Sequence, residues 1–318
     1  MAYSNENVID VVTDDDSDFS ASKETLEVPV PQADKKAILS ALKLMLRSGD
    51  VVELRALCKG SKKRIDSGYF DSDHWPQLAQ EAHRLSSNGA AVYITLNPVE
   101  PQLIARHYNR VEASVPQTTT DKQITRRRWL LVDVDPVRPS GVSASDAQVL
   151  AASRIAKDVS RYLKGLGWPT PSIAMSGNGF HLLYAIDLPN DDVSRDLVAD
   201  ALKSLGSKFD TADVKVDRTV CNAARIIKLY GTVANKGDHT PAAPWRLSQV
   251  IRASQWVPVA ENQLRELVGS MQVAIRPPAP NSGVLSHLLG AFNLDDFLSR
   301  HSLEWHSPKP LDIFHSAV

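Results

Sequence analysis

Arg128-Trp-Leu-Leu-Val-Asp-Val-Asp-Pro136 is an apolar run that stops abruptly at two acids and a proline. In a strand, residues i and i+2 share one face, roughly 6–7 Å apart. Asp133 and Asp135 therefore face the same way, with Val132 and Val134 packed behind them. Two carboxylates that close repel by roughly 2–3 kcal/mol at an effective dielectric of 20. A cation should offset that, and an all-oxygen site suits Mg²⁺ or Mn²⁺ better than zinc. The apolar lead-in argues for a strand buried on both faces. Acids at the C-terminal edge of such a strand stand where α/β sheets keep their sites.

Downstream, Pro171–Met175 reads as a short strand and Phe180–Ile186 as its return. Between them Ser176-Gly177-Asn178-Gly179 is a turn, and Asn-Gly is a strong hairpin signal. Glycines there let backbone N–H groups approach an anion closely. His181, at the mouth of that loop, can donate to a phosphate oxygen. A third segment, Asp213-Val-Lys-Val-Asp217, alternates as a strand and leads into Asn222-Ala-Ala-Arg225-Ile-Ile-Lys228. Arg225 and Lys228 are neighbours if that stretch is helical. If it is a strand, they point to opposite faces and one alone reaches the site.

Taken together, Asp-x-Asp on a buried strand, Ser-Gly-x-Gly-x-His, and Val-Asp followed by Asn-x-x-Arg-x-x-Lys-x-x-Gly-Thr resemble the archaeo-eukaryotic primase superfamily. The likeness is to the primase-polymerases of phage, plasmids and integrated elements. It covers roughly residues 50–255 and takes in Ser67–Phe70, Tyr93–Pro98 and Thr118–Asp121. The resemblance implies that Asp133, Asp135 and Asp217 hold two Mg²⁺ or Mn²⁺ ions, with Asp213 the weaker alternative to Asp217. It implies that His181, with Ser176, Gly177, Asn178 and Gly179, positions the phosphates of an incoming NTP or dNTP. Arg225 and Lys228 would neutralise those phosphates. The implied activity is primer synthesis or extension on a single-stranded DNA template. The chain would be one part of a longer primase–helicase, or work with a helicase partner.

Composition sets the bounds. The chain has 318 residues and a formal net charge of −1, which at first argues against a nucleic-acid partner. However, residues 1–28 hold eight acids and one base, so the remainder carries +6. The acidic, Ser- and Asp-rich head reads as disordered. Basic clusters stand at Lys59, Lys62, Lys63 and Arg64 and at Arg126, Arg127 and Arg128. The arginine triplet directly precedes the acid-bearing strand, so it and Lys236 are the nucleic-acid contacts the sequence offers. Cys58 and Cys221 give neither a disulfide framework nor a zinc site. No run reaches membrane-span length and the N-terminus has no signal-peptide pattern, which predicts a cytoplasmic protein.

Periodicity predicts helices over residues 34–48, 73–85, 145–166 and 191–208, and strands over 51–57, 91–96 and 245–251. Strands alternate with helices, so the class is α+β around mixed sheets. The strand–helix–hairpin–helix–strand order over 128–230 fits a ferredoxin-like, RNA-recognition-type sheet. The expected layout is an acidic tail (1–30) and a catalytic domain (31–275). The domain comprises an α/β module (34–115) and a metal-binding module (116–255). A Pro-rich linker (276–284) and a small helical segment (285–318) complete it. A metal-dependent nuclease could use the same acids but has no need of the Ser-Gly-x-Gly-x-His loop. A rolling-circle initiator needs His-x-His and a tyrosine nucleophile. A silent binding module has no use for all three acids.

Overall fold

The computed structural model describes residues 28–58 and 64–275. The acidic head up to residue 27, Lys59, Lys62 and Lys63, the Pro-rich linker and the helical segment expected over 285–318 lie outside the described residues. Two compact units divide the chain, Met1–Val268 and Gly269–Val318. The sheets and the site belong to the first.

The chain runs α1 (Lys35–Met45), β1 (Val52–Cys58), β2 (Arg64–Phe70), α2 (Trp75–Ser87), β3 (Ala91–Thr95), β4 (Val111–Glu112) and β5 (Arg126–Pro136). It continues through α3 (Asp146–Gly165), β6 (Ser172–Met175), β7 (Phe180–Pro189), α4 (Asp192–Phe209) and β8 (Val214–Val216). It ends with β9 (Ile226–Lys228), β10 (Val233–Ala234), β11 (Arg246–Leu247), β12 (Gln249–Arg252) and α5 (Glu261–Ile275). The class is mixed α and β with antiparallel sheets.

One five-stranded sheet has the order β12-β6-β7-β5-β8, every neighbour antiparallel. Its β5-α3-β6-β7-α4-β8 path gives the spatial order of a split βαβ, ferredoxin-like unit. The acid strand β5 lies centrally, between β7 and β8. Leu130, Val132 and Val134 of β5 are fully buried. They alternate with Leu131, Asp133 and Asp135, which line a cavity on the opposite face. Helix α3 packs on β5 and β7. Its start is fixed by Ser145, whose hydroxyl accepts the Gln148 amide while the Gln148 side chain bonds back to the Ser145 amide. Ala152, Ala156, Val159 and Leu163 recur at helical spacing on its buried face.

The second five-stranded sheet has the order β4-β2-β1-β3-β9. Its last strand comes from far along the chain: Tyr93 of β3 pairs with Lys228 of β9. The chain thus leaves the first sheet at β8 and enters the second at β9. The expected split at residue 116 therefore understates how the two layers interleave. The predicted late strand is two strands, separated at Ser248. Its buried hydroxyl donates to Leu229 and Thr232 carbonyls. β11 pairs with β10, while β12 returns to the edge of the first sheet. One hydrophobic core runs through α1, α2 and both sheets.

Candidate active site

The register of the first sheet sets the site. Asp133 pairs across β5–β7 with His181, and Val134 pairs across β5–β8 with Val216. Asp217 follows Val216 and its amide bonds to the Asp133 carbonyl at 2.8 Å. His181, Asp133 and Asp217 therefore form a row across three strands, and Asp135 lies one step further on the same face. The row faces a cavity of about 370 Å³ whose lining includes Ser176, Asn178, Arg138, Arg225, Lys228 and Lys236. Of the sequence-predicted residues, Gly177, Gly179, the arginines at 126–128 and Asp213 are not in that lining; Asp213 is exposed just before the start of β8.

Asp133 carries the electrostatic strain. Its Oδ1 is sealed from solvent and has no hydrogen-bond partner among the described residues. The nearest cationic candidate, His181 Nε2, is 3.5 Å away. Burial pushes the Asp133 carboxyl well above the usual carboxylate range, and the charges of Asp135 and Asp217 push it further. Burial, with Arg225 nearby, pulls His181 down to about 3, so the imidazole is neutral at pH 7. Its Nδ1 lies 2.8 Å from the Tyr230 hydroxyl. Burial and Asp133 raise the Tyr230 phenol, keeping it protonated. With that hydroxyl donating to Nδ1, Nε2 carries the ring proton and faces Asp133 and the cavity.

The flanking acids have internal partners. Asp217 accepts from the Thr219 amide and hydroxyl, both at 2.7 Å, and meets Arg225 Nη2 at 3.5 Å. Asp135 meets Arg138 Nη2 at 3.4 Å. So turned, no three metal-ligating side chains close on one point among the described residues. The donor chemistry nonetheless fits hard divalent cations. Three carboxylates line one cavity, and Asp133 keeps one oxygen without a hydrogen-bond partner among the described residues.

The hairpin loop differs from a two-residue Asn-Gly turn. Four residues connect β6 and β7, closed by the Ser176 amide on the Gly179 carbonyl at 2.9 Å. The left-handed residue is Gly177, at φ +103°. A Cβ on Gly177 would meet the Ala234 Cβ at 2.2 Å; one on Gly179 would meet Asp135 Oδ1 at 2.2 Å. The Gly177 amide is spent on the Met175 sulfur and the Gly179 amide on the Ser176 hydroxyl. Gly177 thus lets the loop approach β10 and Gly179 lets it approach the acid strand, while their own N–H groups are engaged within the loop. Asn178 accepts the Ala144 amide at 2.8 Å and ties the loop to the entry of α3.

The opposite wall comes from the second sheet. Arg225 precedes β9 and Lys228 ends it, and both reach the cavity. The choice between them, expected for a strand, does not arise, because Arg225 stands outside the regular strand. Lys228 is buried, donates to the Val233 carbonyl at 2.8 Å and lies over the Tyr93 ring. Burial, with Lys236 nearby, lowers it to about 7.

The arginine triplet sits elsewhere. At about 3.3 Å per residue, Arg127 is roughly 20 Å from Asp133 along β5. Arg126 pairs with Asp187. Arg127 is buried and donates to the Cys221 carbonyl at 2.7 Å. Arg128 Nη1 holds both Asp50 oxygens at 2.7 Å. None of the three lines the cavity, and each guanidinium has a partner within the protein. Lys236, by contrast, is exposed and lines the cavity.

Sequence reasoning missed Arg138 and Tyr230, because neither belongs to a spaced pattern of acids or glycines. It also missed the grip on the connector that carries Asp217 and Arg225. Asn97 donates to the Ala223 carbonyl, Asp121 accepts the Ala224 amide, and Arg127 holds Cys221. Two of these grips lie in the stretches Tyr93–Pro98 and Thr118–Asp121, whose role was invisible without contacts.

No protein-family model matches the chain, and no curated protein does. Among solved structures it is similar to the crystal structure of primase RepB′, at 14% identity and a TM-score of 0.45. That match covers 76% of this chain and 64% of the other. It is also similar to the catalytic domain of primase RepB′ in complex with initiator DNA, at 13% identity and a TM-score of 0.42. That match covers 76% of this chain and 100% of the other. No described helix is long and apolar enough to cross a membrane.

Proposed function

We propose that the chain is a DNA primase-polymerase that makes or extends primers by template-directed nucleotidyl transfer. The observation that carries this reading is the row of His181, Asp133 and Asp217 across β7, β5 and β8. Asp135 lies beside it, and the cations Arg225 and Lys228 face it from the other sheet.

In this reading Asp133, Asp135 and Asp217 hold the divalent cations, Mg²⁺ or Mn²⁺. Bound there, two such ions supply Lewis-acid activation of a 3′-hydroxyl and stabilisation of the departing pyrophosphate. The protein's own groups do the rest. Neutral His181 offers Nε2–H to a phosphate oxygen, held in that tautomer by Tyr230. Arg225 and Lys228 place positive charge where phosphate charge develops. The Ser176 loop fixes how near the phosphates come to Asp135. Template contacts are mainly to phosphates and so salt-sensitive.

The test is to incubate the full chain with single-stranded DNA, Mn²⁺ and each nucleotide set, and to size the products. Products that lengthen on the template support the reading. Template that shortens makes the acids those of a nuclease. Template that stays unchanged while binding persists makes the chain a silent binding module.

A further inference from the structure

The cavity described above does not close at Asp135. There it opens into a second, larger trough of about 710 Å³, which shares Leu57, Asp135, Arg138 and Lys236 with it. The trough adds Lys215, Pro136 and the rest of the β5–α3 loop, residues 137–142, to its lining.

Its walls are built rather than loose. Arg138 is nearly buried and donates to the Pro136 and Val142 carbonyls at 3.0 and 3.1 Å, clamping the loop. A Cβ on Gly237 would meet the Gly141 carbonyl oxygen at 2.6 Å, so the two loops touch through glycine. The Ser143 hydroxyl donates to the Lys236 carbonyl at 2.9 Å and closes the same corner.

The lining combines exposed cations with exposed apolar surface. Lys215 is the cross-strand partner of Asp135 and half-exposed. Its nearest acid, Asp210, is 3.9 Å away and already bonded to Arg218 and to the Val216 amide, each at 2.9 Å. Lys236 is exposed across the trough. Val137 and Val142, 50% and 40% exposed, lie on the loop wall. Cations flanking an apolar channel match a polyanionic strand whose sugars and bases are apolar.

Nucleotidyl transfer joins two substrates, a triphosphate and a strand ending in a 3′-hydroxyl. On the primase reading above, His181, Ser176 and Lys228 put the triphosphate in the first cavity. We propose that the trough seats the 3′ end of the primer strand. Lys215 and Lys236 take its phosphates, Val137 and Val142 its sugar and base edges, and Asp135 stands at the junction. The bond formed joins the primer 3′-oxygen to the α-phosphorus, and the bond broken releases pyrophosphate. The acceptor proton leaves to solvent.

The test uses the full chain with a fluorescent primer annealed to a longer template, and separately a Mn²⁺-bound deoxynucleoside triphosphate. Lys215→Glu is exposed and should fold. It should weaken primer–template binding about tenfold and leave nucleotide affinity unchanged. Lys215→Ala should lower the salt slope of primer–template binding by about one. Val137→Asp, also exposed, should reproduce the binding loss through charge placed in the trough. Unchanged primer–template affinity in both charge variants would overturn the proposal. So would a parallel loss of nucleotide affinity. If the wild type extends nothing while Lys215→Glu still weakens primer–template binding, the trough stands and the primase chemistry falls.

Discussion

Glu53 and Asp133 are two inward-facing carboxylates, treated in opposite ways. Glu53, on β1, has a fully buried side chain. It accepts from the Ser67 hydroxyl at 2.6 Å, Arg55 Nη2 at 2.7 Å and the Thr119 amide at 3.0 Å. Asp133, on β5, keeps one oxygen orphaned and has two acids for company. Protein folding alone favours the first arrangement, since a buried charge is tolerated when paired and hydrogen-bonded. The second persists at a cost to stability, and a ligand can offset that cost. The contrast separates a carboxylate that holds the protein together from one kept available for chemistry.

Asp133→Asn tests the contrast most severely. It should lower nucleotide incorporation by roughly 10³-fold. Removing the buried repulsion should also raise the metal-free melting temperature by about 2–4 °C. A variant that melts earlier, or keeps synthesis, would erase the distinction. Glu53→Gln should do the reverse. It leaves Arg55 without its charge partner and should cost about 3 kcal/mol in a urea titration. Nucleotide affinity of the folded protein should not change.

Lys228 supplies a graded version. Its folded-state pKa, about 7, lies below the ordinary lysine value of 10.5. Between those values the unfolded chain holds a proton that the folded protein lacks, so this group makes stability rise with pH. Lys228→Met should therefore be more stable than wild type at pH 7, with the advantage shrinking toward pH 9. Its nucleotide affinity should fall. Urea midpoints at the two pH values, with a nucleotide titration, decide it. Arg126→Ala sits at the small end. An exposed ion pair is worth no more than about 1 kcal/mol, and DNA affinity should be unchanged because Arg126 lies far from the cavity. A clear drop in DNA affinity would restore the triplet as a contact surface.

The acid row was legible because strand alternation is local. Asp133 and Asp135 declare their shared face by spacing, and the β-α-β-β-α-β order follows from periodicity and from a cap such as Ser145. The partners of that row were not legible, because they are set by register and crossover. Nothing near Ile226–Lys228 says that this strand pairs with Tyr93, over 130 residues earlier. Tyr230 reads as a core aromatic until His181 is placed beside it. The internal partners of the arginine triplet were hidden for the same reason. Adjacent charges look like a patch, yet Asp187, Cys221 and Asp50, which absorb them, are scattered through the sequence.

Gly179 leaves no room for a side chain between the hairpin and the acid strand. A methyl group there would collide with Asp135 Oδ1 at 2.2 Å and the Val134 carbonyl at 2.4 Å. A hydrogen atom is thus the spacer between the hairpin and the carboxylate, and its van der Waals radius sets how near the loop stands to β5 at that point. Spacers made of long side chains can flex through their rotamers; this one has none. Any side chain larger than hydrogen at this position would push the loop away from the acid strand.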